Sequence, residues 1–79
     1  MDKRNEYEYV AVEERIDDEE TGGYISFGIS AYYRGERVAH VSDVSTDNEA
    51  VCRLVERCNE AALSPMHLED VVEDFLAEV

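Results

Sequence analysis

The chain reads as an α+β domain: a three-stranded antiparallel β-meander with a C-terminal helical hairpin packed on one face, in the order βββαα. Three observations lead there. Apolar residues alternate through the first half, they repeat near every 3.6 residues in the second, and 79 residues suffice for one core spanning residues 1–79. The line between sheet and helices falls near Asp43.

Tyr7 to Ile16 carries Tyr7, Tyr9, Val10, Ala11 and Val12, a strand composition in which two adjacent alternations compete. The strand is assigned and its inward set is left open. Asp17, Asp18, Glu19 and Glu20 followed by Thr21, Gly22 and Gly23 cannot be buried and supply turn geometry, so this stretch is a loop. Tyr24 to Tyr33 is the clearest strand: Ile25, Phe27, Ile29 and Ala31 share one face, and Tyr24, Ser26, Gly28, Ser30 and Tyr32 the other.

The register of Arg37 to Asp43 decides where His40 points. A two-residue turn at Arg34 and Gly35 sets His40 beside Ile29 on the buried face. A three-residue loop ending in a left-handed Gly35 sets Ala39 beside Ile29 and Val41 beside Phe27, which fits the apolar pattern, and Arg34 is a poor first residue for the mirror-image two-residue turn. The longer loop is therefore expected, with His40 facing away from the helices.

Thr46 and Glu49 form a capping-box signature with a helix starting at Asp47. Its apolar stripe is Val51, Leu54, Val55, Cys58, Ala61 and Ala62. Ser64 caps a second helix with Pro65 in its first position, running to about Ala77 with Leu68, Val71, Val72, Phe75, Leu76 and Val79 inward.

Twenty Asp and Glu against seven Lys and Arg give a net charge of -13, which disfavours nucleic-acid binding, because phosphate affinity comes from cationic groups releasing counterions. Self-repulsion of this charge predicts a melting temperature that rises with added salt. No apolar stretch of membrane-spanning length occurs and the amino terminus is charged, so a cytoplasmic location with no membrane association is expected. Cys52 and Cys58, six residues apart on different faces of one helix, are expected as reduced thiols.

Phe27, Gly28 and Ile29 in the central strand, Asp43, Val44 and Ser45 before the first helix, and Leu54, Val55, Cys58, Asn59, Leu63, Ser64, Pro65, His67, Leu68, Asp70, Val71, Val72, Glu73, Asp74, Phe75 and Leu76 carry a resemblance. Through them the chain resembles a family of small bacterial proteins of clostridial (Firmicutes) type, characterised as a domain of unknown function. That family often has tyrosine where Phe27 stands, and residues 1–23 gain little from the likeness. The resemblance brings no assigned catalytic residues to these positions, and no cofactor is expected.

Of the chemical candidates, His67 with Asp70 and Asp74, joined by His40 or Asp43, has the residue types of a mixed nitrogen and oxygen metal site. The competing structural role of His67 is to close a helix start. Asp17 to Glu20 lacks the alternating spacing and distal glutamate of a calcium loop. Cys52 lacks a cationic setting, Cys58 sits in the apolar stripe, and Ser64 with His67 has the spacing of a cap rather than of a hydrolase.

The sheet face opposite the helices is the stronger candidate. Tyr24, Tyr32, Val38 and His40 lie there as partner-binding residues, joined by Tyr7 and Tyr9 if the first strand turns them outward. An edge strand can also recruit another chain by sheet extension. The leading reading is a non-enzymatic protein-interaction module with no metal or cofactor, whose partner is a basic protein or, as a homodimer, a second copy. The alternative is a metal-binding protein or metal-dependent enzyme centred on His67.

Overall fold

The structure, a computed structural model, describes residues 7–78. Three strands, β1 (Tyr7–Ile16), β2 (Tyr24–Tyr33) and β3 (Glu36–Ser45), form an antiparallel sheet in sequence order, followed by α1 (Asn48–Glu60), a single 3₁₀ turn (Pro65–His67) and α2 (Leu68–Ala77). The expected βββαα order is the one observed.

β1 and β2 pair without interruption from Tyr7 opposite Tyr33 to Ile16 opposite Tyr24. This register resolves the competing alternations of β1: Tyr7, Tyr9 and Ala11 turn toward the helices with Ile29 and Ala31 of β2, and Val10, Val12, Glu14 and Ile16 turn away. The tyrosines of β1 thus do not extend the outer face. Tyr9 is 1% exposed, and its hydroxyl donates to the Leu63 carbonyl at 2.5 Å, so the ring fills the core while its polar tip is satisfied. Burial pushes the Tyr9 phenol up to about 12.

The β2–β3 connection corrects the expected three-residue loop. Tyr33 pairs with Glu36, leaving a two-residue turn in which Arg34 (φ 53°) and Gly35 (φ 86°) both take the left-handed region. Arg34 tolerates this position while its guanidinium lies 5.4 Å from the centre of the Tyr33 ring. One extra residue in β3 then resets the alternation, so Ala39 pairs with Ala31, His40 with Ser30 and Val41 with Ile29. His40 faces away from the helices as expected, but its strand is displaced by two residues from the expected pairing.

A second irregularity follows, where Ser42, Asp43 and Val44 together stand opposite Gly28 and Asp43 adopts φ 54°. It returns Val44 to the buried core before the sheet ends at Ser45.

Asp47, not Thr46, caps α1: its carboxylate accepts from the Ala50 N–H at 3.3 Å, and its own N–H donates to the Ser45 hydroxyl at 3.0 Å. The buried stripe is Val51, Leu54, Val55 and Cys58. Ala61 and Ala62 lie beyond it, where the helix ends in a Schellman motif: the N–H of Leu63 reaches the Cys58 carbonyl and that of Ala62 the Asn59 carbonyl, with Ala62 at φ 50°. Ser64 precedes the 3₁₀ turn without a side-chain cap, and α2 starts at Leu68 rather than at Pro65. Leu68 and Val72 are buried and Val71 and Phe75 pack beside them, but Leu76 is exposed. Val79, also expected inward, lies outside the described residues. α1 crosses all three strands and α2 lies against β3, so both helices occupy one face.

Candidate functional site: the outer face of the sheet

The face left without helices is organised by Glu14. Gly28 of β2 stands beside it: a Cβ there would come within 2.5 Å of the Val41 carbonyl and 3.0 Å of Glu14 Oε2. That gap lets the Glu14 side chain cross the middle strand from β1 and reach β3. Its Oε2 accepts from His40 Nε2 at 2.7 Å and from the Ser42 hydroxyl at 3.1 Å, and its Oε1 from the Asp43 N–H at 2.8 Å. Burial works against the charge on Glu14, but the bonds from Asp43, His40 and Ser42 outweigh it and hold its carboxyl below the usual range.

His40 links this carboxylate to the sheet. A carboxylate only accepts, so Nε2 carries the hydrogen, and Nδ1 lies 2.7 Å from the Ser30 hydroxyl. Asp43, set by its left-handed backbone, accepts from the Ser26 hydroxyl at 2.6 Å and from the Tyr24 hydroxyl at 2.8 Å. The Asp43 carboxylate in turn raises the Tyr24 phenol above its ordinary value, because ionised tyrosine would lose the bond and face a like charge. Ser26 and Ser30 are both 0% exposed although no helix covers them, and no buried side-chain polar atom among the described residues lacks a partner.

Serine, histidine and glutamate in this order resemble a nucleophilic relay. The chemistry does not follow, because Ser30 is sealed between strands where no acyl group can reach its Oγ. The arrangement braces the face.

The residues expected to bind a partner take different positions. Tyr24 and His40 belong to this network, Tyr32 is half-buried and paired with Glu8 and Arg37, and Val38 sits in the first bulge at 49% exposure. Val10, Val12 and Ile16 of β1 complete the face in place of Tyr7 and Tyr9. Glu14 was absent from the sequence expectation. The signal that points to it is Gly28, a glycine inside a strongly alternating strand, which marks a close approach.

His67 is exposed at the start of α2, with Asp70 and Asp74 also exposed, on the layer opposite His40, so the two histidines do not meet. Among the described residues no group of three His, Cys, Asp or Glu side chains is arranged to hold a metal. Asp18 instead accepts from the Gly22 and Glu20 N–H groups within the acidic loop. Cys52 is an exposed free thiol, and burial pushes the Cys58 thiol up despite the nearby Arg57, away from the reactive thiolate. Cys58 lines an apolar groove of about 180 Å³ between the helices with Leu54, Leu63 and Val71.

Fold and site together define a small acidic α+β domain with a helix-free sheet face fixed by hydrogen bonds. The chain belongs to a family of unknown function, DUF6514, whose match extends over residues 1–78 and so takes in the amino-terminal strand as well as the region from Phe27 onward. No curated protein and no solved structure matches it. No described helix is long and apolar enough to cross a membrane.

Proposed function

We propose that this domain is a non-enzymatic interaction module that receives a basic protein on the outer face of its sheet. The observation that carries the reading is a face kept free of helices yet held rigid by the Glu14, His40 and Asp43 bonds, with Tyr24, Tyr32, Val10, Val12 and Val38 distributed over it. A preorganised surface loses little side-chain entropy on binding. Tyrosine and valine supply contact area, and a net charge of -13 attracts a cationic partner.

The test is capture from a lysate of the source cell with three immobilised proteins: the wild type, the double variant Tyr24→Ala with Tyr32→Ala, and a helix-side control, Glu69→Gln with Glu73→Gln. A basic protein retained by wild type and control, lost with the double variant and released by about 0.5 M salt is expected. Equal capture by the double variant would overturn the assignment of this face.

A further inference from the structure

β1 is an edge strand with an unusual division along its length. At Tyr9 the amide of Asn59 on α1 acts as a substitute strand: its Oδ1 accepts from the Tyr9 N–H at 2.9 Å and its Nδ2 donates to the Tyr9 carbonyl at 3.0 Å. The backbone groups of Tyr9 therefore point away from β2. By the alternation of an antiparallel ladder, those of Ala11, Glu13 and Arg15 point the same way. No described strand pairs with them, since the sheet order is β1-β2-β3. Ile25, the β2 neighbour of Arg15, is 42% exposed, so this end of the hairpin projects past the helix layer.

We propose that two copies of this chain pair antiparallel along the free edges of their β1 strands, centred on Glu14, joining two three-stranded sheets into one. Charge selects this register. With Glu14 at the two-fold axis, Glu13 of each copy stands opposite Arg15 of the other in the hydrogen-bonded positions, giving two cross-strand ion pairs on the helix side. On the outer side Val12 meets Ile16 of the second copy. Centring one residue earlier would put Glu13 against Glu13. Glu13 and Arg15 are exposed and form no ion pair with another described residue. The central Glu14 carboxylates do not confront each other, because each is drawn across Gly28 to His40, Ser42 and Asp43 of its own β3. The pairing is isologous and closes as a dimer.

This surface is separate from the face assigned to the basic partner, and salt distinguishes the two. The partner complex weakens as salt rises, whereas the dimer strengthens as the repulsion between two chains of charge -13 is screened.

Sedimentation velocity of the full chain, from micromolar concentration to about 1 mM in about 0.5 M NaCl, tests the proposal. A concentration-dependent dimer is expected. Arg15→Glu should weaken it at least about tenfold, and Glu13→Arg with Arg15→Glu should restore it to within about threefold of wild type. Arg53→Glu on the exposed side of α1 changes net charge equally and should leave it intact. Glu13→Pro removes an outward N–H that the monomer does not use; it should abolish the dimer while keeping the folded circular dichroism spectrum. A wild-type chain monomeric throughout, or a dimer indifferent to Arg15→Glu, would overturn the proposal.

Discussion

Ile29 and Ser30 are adjacent in β2, point to opposite sides of the sheet, and are both sealed from solvent. On Ile29's side the seal is a second layer: α1 and α2 cover the sheet with Val51, Leu54, Val55, Leu68 and Val72, and apolar area removed from water supplies the driving force. On Ser30's side no layer exists. There the seal is a hydrogen-bonded lattice of side chains lying flat on the strands, with Glu14 spanning all three. Burial therefore does not require an opposing element, provided every polar group brought inside is bonded. A face sealed in this way also stays uncovered by helices.

Four substitutions probe that comparison. Gly28→Ala, which would thrust a methyl against the Val41 carbonyl and the Glu14 carboxylate, should destabilise the fold by about 3 kcal/mol in urea unfolding. A loss under about 0.5 kcal/mol would show that the outer face packs loosely. Glu14→Gln places an amide donor among groups that themselves donate and should cost about 2 kcal/mol at pH 7. Because the native Glu14 pKa lies below its ordinary 4.5, this contribution is present above pH 4.5 and lost as pH falls through the native value. The gap between wild type and variant should close in acid.

On the inner face, Tyr9→Phe removes the donor to Leu63 and should cost about 1 to 2 kcal/mol at neutral pH. The Tyr9 phenol is raised from 10.0 to about 12, so its contribution holds below pH 10 and is lost as pH rises toward 12. The Phe variant should show a flatter alkaline limb. The smallest effect is a gain: Ala62→Gly relieves a left-handed backbone at the Schellman position and should stabilise by about 0.5 to 1 kcal/mol, read as a rise in melting temperature.

Most of the layer structure was legible because burial under helices leaves an apolar signature: Phe27, Ile29 and Ala31 alternate, and Val51, Leu54, Val55 and Cys58 repeat at helical spacing. Irregularities were not legible. The two bulges of β3 change the pairing without changing any side chain's hydrophobicity, so Ala39 and Val41 kept an apparent alternation while their partners shifted. The Arg34–Gly35 turn was missed because turn preference disfavours arginine at positive φ, and the cation over Tyr33 is a contact that local preference does not include. The Glu14 network was missed for a different reason. It is built from polar residues 26 to 29 positions apart, and Glu14, Ser42 and Asp43 look like ordinary solvated positions until Gly28 is read as a gap between them. Of the expected face residues, Tyr24 and His40 entered that network, whereas Val38 did not.

The Asn59 latch on Tyr9 holds only while its side chain remains an amide. Hydrolytic loss of ammonia from this amide would leave a carboxylate whose second oxygen confronts the Tyr9 carbonyl where an N–H had been, turning attraction into repulsion between lone pairs. Aged material should therefore release the first half of β1 from α1, uncovering more strand edge than fresh protein presents.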